Sequence, residues 1–223
     1  MFEFYDLHTH TTFSDGVLIP AESVRRGKVN GYSGMALTDH ADESNYKFII
    51  ENQKRFQESF NKISEFKIIV GVEFTHVKPS ILGKLVCDAR EFGADIVVVH
   101  GETIVEPVEK RTNRAAIDSG ADILAHPGLI DEEDVKLAVK NNVALELTTR
   151  KGHSYTNGYV YSVASKYGAT VVLNNDFHAP GDGLDINMLQ KVLRGVGVGE
   201  AEMRTVFDNN KNIFYRCLGG ESE

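Results

Sequence analysis

The stretch Phe2-Glu3-Phe4-Tyr5-Asp6-Leu7-His8-Thr9-His10 decides how the rest of the chain is read. A short apolar and aromatic run passes straight into His-x-His. In an extended chain, residues two apart share a face, so His8 and His10 present two imidazoles side by side at a strand end. Neutral imidazole is the commonest protein metal ligand. Asp15 follows in Ser14-Asp15-Gly16, where a turn folds it back toward the pair. A lone His-x-His is as readily two ordinary surface histidines. What overturns that reading is recurrence.

Working outward, one apolar run after another ends in a metal-ligating residue type. The run 33–37 leads into Thr38-Asp39-His40, and 67–72 ends in Glu73. The run 95–99 ends in His100, and 122–125 in His126-Pro127. The run 143–147 leads into Thr148-Thr149-Arg150, and 170–173 into Asn174-Asn175-Asp176-Phe177-His178. Amphipathic stretches separate these strands. Helices are predicted over 20–30, 43–66, 85–92, 111–119, 131–141 and 157–167, with two more near 186–194 and 199–209. Pro20 at a helix start and Gly31 past its end fit that reading. So do Phe48, Ile49, Phe56, Phe60 and Ile63 at helical spacing.

Strand alternating with helix implies a parallel sheet. Near-continuous apolar strands imply cover on both faces. Seven such units predict an α/β fold, a distorted TIM-like (β/α)7 barrel spanning residues 1–223 as one domain. An open doubly wound sheet is the alternative, but its Gly-rich phosphate loop after the first strand is missing.

Composition sets the bounds. At 42% hydrophobic and 25% charged residues, the chain has the make-up of an ordinary globular protein. A net charge of −8 argues against broad binding to a nucleic acid backbone. No run reaches membrane length, and no basic region followed by a long apolar segment opens the chain. Cys87 and Cys217 lie far apart and outside any CxxC pattern. The expectation is a cytoplasmic protein with reduced thiols.

In an α/β barrel the strand ends build the active site at one face. His8, His10, His40, Glu73, His100, His126, Asp176 and His178 fall at those ends, and Asp15 in the first loop of the same face. Of the eight histidines only His76 and His153 lie outside this set. Imidazoles with a few carboxylates suit Zn, Mn, Fe or Ni better than Ca or Mg. Nine candidates exceed the needs of one ion, so two or three divalent transition metals are expected, with Glu73 best placed to bridge. Asp39 is read as an acceptor that orients an imidazole.

With these residues assembled, the chain resembles the PHP family, named for polymerase and histidinol phosphatase. The matching pieces are His8-Thr-His10-Thr, Ser14-Asp15-Gly16, Thr38-Asp39-His40, Gly71-Val-Glu73, His100, His126-Pro127 and Asp176-Phe-His178, in the family's order. Asn175-Asp176 stands where the family often has Ser-Asp, and the ligand itself is kept. The resemblance implies a three-metal cluster. His8, His10, Glu73 and Asp176 would hold one ion; Glu73, His100 and His126 a second; Asp15, His40 and His178 a third.

A clustered multi-metal site suits phosphoester hydrolysis by an activated water, with no protein nucleophile. The expected activity is a metal-dependent phosphatase on a small phosphate monoester, with histidinol phosphate one possibility. Asp15, His40, Glu73 and His178 are expected to act in catalysis, and Arg150 and Lys151 to grip the substrate phosphate. Arg111, Arg114, His76 and Lys78 are weaker candidates for substrate contact. Alternatives are a phosphodiesterase or nuclease with the same site, an amidohydrolase, and a non-catalytic scaffold or RNA-binding barrel. No membrane partner is expected.

Overall fold

Strands and helices alternate as the apolar rhythm predicts, in a computed structural model that describes residues 2–219. The strands are β1 (Tyr5–Asp6), β2 (Gly34–Leu37), β3 (His40–Ala41), β4 (Lys67–Phe74), β5 (Ile96–His100), β6 (Ile123–Ala125), β7 (Ala144–Thr148) and β8 (Val171–Asn174). The helices are α1 (Pro20–Val29), α2 (Tyr46–Ile63), α3 (Pro79–Glu91), α4 (Thr112–Asp118), α5 (Glu132–Asn141), α6 (Asn157–Tyr167), α7 (Ile186–Val196) and α8 (Glu200–Leu218).

All the strand pairings are parallel, in the order β1-β2-β4-β5-β6-β7-β8. Both β2 and β3 pair with β4, so they are two pieces of one interrupted stave. The sheet is thus seven staves, nearly closed into a TIM-like barrel. The closing seam is a single bridge, Thr9 to Phe177. There the His10 amide donates to the Phe177 carbonyl at 2.8 Å and the Phe177 amide to the His8 carbonyl at 3.3 Å. The residues that close the barrel therefore interleave with His8, His10, Asp176 and His178.

Period-two alternation divides the core in two. Val70, Val72, Val97, Val99, Leu145 and Leu147 face outward into the layer beneath the helices. Ile69, Ile96, Val98, Ile123, Ala144 and Val172 face into the barrel. Ile213 and Phe214 of α8 join that inner cluster and seal its lower end. Gly71 lets β4 approach β5: a Cβ there would stand 1.8 Å from the Ile96 carbonyl oxygen.

Two helices differ from the sequence expectation. α3 starts at Pro79, in the first helical turn, where proline's missing N–H costs nothing. α8 continues to Leu218, past the polar Asn209-Asn210 pair where the sequence suggests a stop. Asn210 is fully buried, and its amide donates to the carbonyls of Tyr5 and Leu173 at 2.9 and 2.8 Å. A polar residue there ties the helix to β1 and β8 instead of ending it. Both cysteines are free. No helix among the described residues is long and apolar enough to cross a membrane.

Candidate metal centre

The inward face of each stave turns polar at its upper end. Ile69 of β4 gives way to Glu73, Ile96 and Val98 of β5 to His100, and Ala144 of β7 to Glu146. On the first stave the alternation breaks: Tyr5 and Leu7 belong to the inner cluster, yet His8 also turns inward to the donors. The break is held by Asp6, a buried carboxylate that accepts from the Asn175 side chain at 2.7 Å. His126 and Asp176 sit just past β6 and β8 with φ of 27° and 54°, positive values uncommon outside glycine, although Asp and His adopt them more readily than most residues. Such strain, roughly 1–3 kcal/mol each, clusters at functional sites.

These strand ends bring the nine donors together. Glu73 is at the centre. Its Oε1 lies 3.3 Å from His8 Nε2 and 3.6 Å from His126 Nε2. Its Oε2 lies 2.7 Å from His40 Nδ1 and 3.7 Å from His10 Nε2. Asp176 Oδ1 stands 3.3 Å from His10 Nε2 and 3.8 Å from His8 Nε2, and its Oδ2 3.7 Å from His126 Nε2. Asp15 Oδ1 lies 3.1 Å from His178 Nε2 and 3.6 Å from His40 Nε2. Among the described residues, four donor groups are compact enough for an ion, including His8/His10/Glu73, His10/Asp15/His40/His178 and His100/His126/His153.

This arrangement fits divalent metal. Two ligands about 2.1 Å from a shared ion at a tetrahedral angle stand roughly 3.4 Å apart, the spacing seen here. His8 Nε2, both nitrogens of His10, Glu73 Oε1, His126 Nδ1 and Asp176 Oδ1 are buried with no hydrogen-bond partner. Leaving such atoms unpaired costs about 1–3 kcal/mol each, so a cluster of them marks a missing partner. Outer hydrogen bonds point the same way. His8 Nδ1 pairs with Glu146 Oε1 at 2.8 Å, His178 Nδ1 with the Asp176 carbonyl at 2.9 Å, and His100 Nδ1 with the Gly101 carbonyl at 3.1 Å. Each contact holds the proton on Nδ1 and leaves the Nε2 lone pair facing inward.

The electrostatics ask for positive charge. Burial works to deprotonate His8, yet Glu146, Glu73 and Asp176 hold its pKa well above the usual imidazole range. Burial pushes His10 and His126 well below that range, so both are neutral rings able to ligate. Burial would raise Glu73, but the charges of His8 and His40 hold it well below the usual carboxylate range. Asp15, similarly opposed by partial burial, is brought down to about 2 by His178 and His40.

Other sequence candidates lie elsewhere. Asp39 orients no imidazole: it accepts from the Thr11 amide and hydroxyl, Ser14 Oγ and Gln53 Nε2, at 2.7–2.8 Å. Its role is to pin the loop between His10 and Asp15, because the carboxylate turns toward that loop while His40 turns to Glu73. Arg150 Nη1 donates to Asp182 Oδ2 at 3.1 Å, and the same oxygen accepts from the His178 amide at 3.0 Å. Lys151 is exposed. Arg111, Arg114 and Lys110 line a cleft of about 830 Å³ that opens beside the donor cluster and includes Thr103 and Pro127. Arg114 is paired with Asp134 across it.

Three residues near the cluster escape the sequence reading. Glu146 holds His8 from below, and its signal was a lone carboxylate within an apolar strand. Glu106 comes from the loop after β5 and His153 from a short 3-10 helix after β7, neither with a local signature of its own. Glu106 Oε2 lies 3.2 Å from His100 Nε2 and 3.3 Å from His76 Nε2, and its Oε1 3.3 Å from His153 Nε2. The His100 contact draws the Glu106 carboxyl down to about 2.

A parallel α/β barrel whose upper end carries such a donor set fits a metal-dependent hydrolase. Comparison places it further: the PHP domain model matches residues 6–167, and the chain belongs to that family. It is 48% identical to an uncharacterized protein of Methanocaldococcus jannaschii over 89% of this chain and 92% of that one. It is 28% identical to the DNA polymerase/3'-5' exonuclease PolX of Bacillus subtilis, over 86% of this chain but only 36% of PolX. Among solved structures, histidinol phosphate phosphatase from Lactococcus lactis, complexed with zinc, L-histidinol and phosphate, superposes with a TM-score of 0.64. At 16% identity over 88% of this chain and 95% of that one, this likeness speaks for the fold alone.

Proposed function

We propose that this protein is a phosphatase that hydrolyses a small phosphate monoester at a cluster of divalent transition metals. The observation that carries the reading is the set of buried, unpartnered imidazole and carboxylate atoms around Glu73 in a chain of the PHP family. His8, His10, Glu73 and Asp176 would hold one ion, Glu73, His100 and His126 a second, and Asp15, His40 and His178 a third. Bound there, the ions supply an acidified water near neutral pH and screen the phosphoryl oxygens.

The chain's own residues do the positioning. Glu146 fixes the His8 ring through Nδ1. Asp39 holds the loop that carries Asp15 to the mouth of the site, where its carboxylate is more than half exposed. Asp15, His40 and His178 therefore stand nearest to incoming substrate, while Glu73 is wholly buried beneath them. The cleft lined by Lys110 and Arg111 takes the organic part of the substrate. Histidinol phosphate is one candidate substrate, in line with the L-histidinol and phosphate bound to the Lactococcus lactis phosphatase of the same fold.

The test is release of inorganic phosphate from a broad monoester panel with Mn, Zn or Fe added. Turnover of monoesters above bis-(p-nitrophenyl) phosphate is expected, and no metal-dependent release from any monoester overturns the reading. A second reading, a 3'-5' exonuclease, is favoured by the PolX relationship. Preferential shortening of oligonucleotides in the same assay would establish it instead.

A further inference from the structure

The donor cluster does not stop at the nine residues legible in the sequence. His153 lies on a short 3-10 helix after β7 (His153–Thr156), and its ring points back into the barrel mouth, where it is buried. It stacks on His126 with ring centres 4.3 Å apart and meets His100 edge-on at 5.8 Å. One nitrogen each from His100, His126 and His153 falls within a common 4.8 Å.

The hydrogen bonds around the ring are those of a ligand. His153 Nδ1 pairs with Thr103 Oγ1 at 2.9 Å, as His100 Nδ1 pairs with the Gly101 carbonyl. With Nδ1 engaged, each ring turns Nε2 toward the same space. The Glu106 carboxylate lies at the edge of that space, one oxygen 3.3 Å from His153 Nε2 and the other 3.2 Å from His100 Nε2. These contacts match the edge of a coordination shell, roughly 3.4 Å for ligands about 2.1 Å from an ion.

We propose that His153 is a metal ligand, forming with His100 and His126 a three-imidazole seat for a divalent transition ion, with the Glu106 carboxylate as its acidic outer ligand. The inference rests on the metal-cluster reading above and adds two donors to it. Three imidazoles and a carboxylate favour zinc or another late divalent metal over Mg at this position. Thr103 is a positioning residue whose hydroxyl holds the His153 ring in place through Nδ1.

The experiment measures zinc stoichiometry and affinity by chelator competition, on the full chain, with no assay of activity. His153→Gln is expected to lose one ion or bind it at least about 100-fold more weakly, given that even outer-shell changes cost 10–100-fold. Thr103→Val is expected to weaken the same ion about tenfold, which keeps the test sound if His153→Gln folds poorly. His76→Gln, which removes a ring that only flanks Glu106, is expected to leave stoichiometry unchanged. In the cobalt-substituted protein, visible absorption is expected to fall in His153→Gln. Unchanged zinc number and affinity in folded His153→Gln overturns the inference. If the wild-type chain itself binds no metal, the proposed function fails and not merely this extension of it.

Discussion

The inside of this barrel is two unlike halves fed by the same strands. Below, Ile69, Ile96, Val98, Ile123 and Val172 interlock over Phe214 of α8, and all are buried. Above, two to four residues further along those staves, Glu73, His100 and His126 crowd together with unpaired atoms among them. The lower half is satisfied by contact alone, at about 25 cal/mol for each Å² of apolar surface removed from water. The upper half is satisfied only when something positive enters it. The difference teaches that stability and chemistry are separable along a single strand, and the variants that follow test that separation.

Glu73→Gln is the change expected to do most. It removes the carboxylate that reaches His8, His10, His40 and His126. Phosphate release should fall by about four orders of magnitude, or ~5.5 kcal/mol of barrier. Metal analysis should show ion loss, while circular dichroism should keep the wild-type spectrum. Unfolding of the variant would mean that the two halves are not independent. Phe214→Ala is the opposite cut. The ring is buried against Tyr5 at 4.8 Å, and its loss should cost about 3–5 kcal/mol in urea unfolding. The zinc affinity of the folded fraction should stay at the wild-type level.

Metal itself should stabilise only through the upper half. Zinc at 100 times its dissociation constant should add about 2.7 kcal/mol to the unfolding free energy. The same gain should persist in Phe214→Ala and vanish in Glu73→Gln, as melting temperatures with and without chelator would show. Glu146→Gln probes the boundary between halves. Its carboxylate accepts from His8 Nδ1 and from the Asn174 amide, so metal affinity should fall about 10–100-fold with only part of the activity lost. Isothermal titration with zinc measures this directly.

This division also explains what was legible in the sequence. An apolar run closing on His, Asp or Glu is visible without coordinates, because the upper half begins where each buried run ends. Barrel topology and the donor rim therefore both follow from reading along the chain. Glu146 was harder, since it sits one step inside its strand, where a lone carboxylate between Leu145 and Leu147 reads as an interruption. Asn210 misled for the same reason, a buried polar group whose partners lie on β1 and β8. His153, on a short 3-10 helix, and Glu106, on a loop, reach the site from different connections, and only the closing of the barrel makes them neighbours. Asp39 had the right residue type and the wrong partner, because its direction is set by the Thr11–Ser14 loop and by Gln53.

Arg150 carries the smallest and finest prediction. Its sequence position on the catalytic face suggested a grip on substrate phosphate, yet its guanidinium meets Asp182, which also accepts from the amides of His178 and Ala179. Guanidinium and carboxylate are each about 30% exposed, so as an ion pair the contact contributes less than about 1 kcal/mol to stability. A guanidinium has five donors, and Asp182 engages only one nitrogen here, leaving others for a phosphate. Arg150→Ala should accordingly leave urea stability within about 1 kcal/mol. KM for the monoester should rise roughly tenfold at nearly constant kcat, the signature of lost uniform binding. Were kcat to fall instead with KM unmoved, the arginine would be acting through Asp182 on the backbone of His178, and the upper half of the barrel would depend on its outer turn for more than substrate capture.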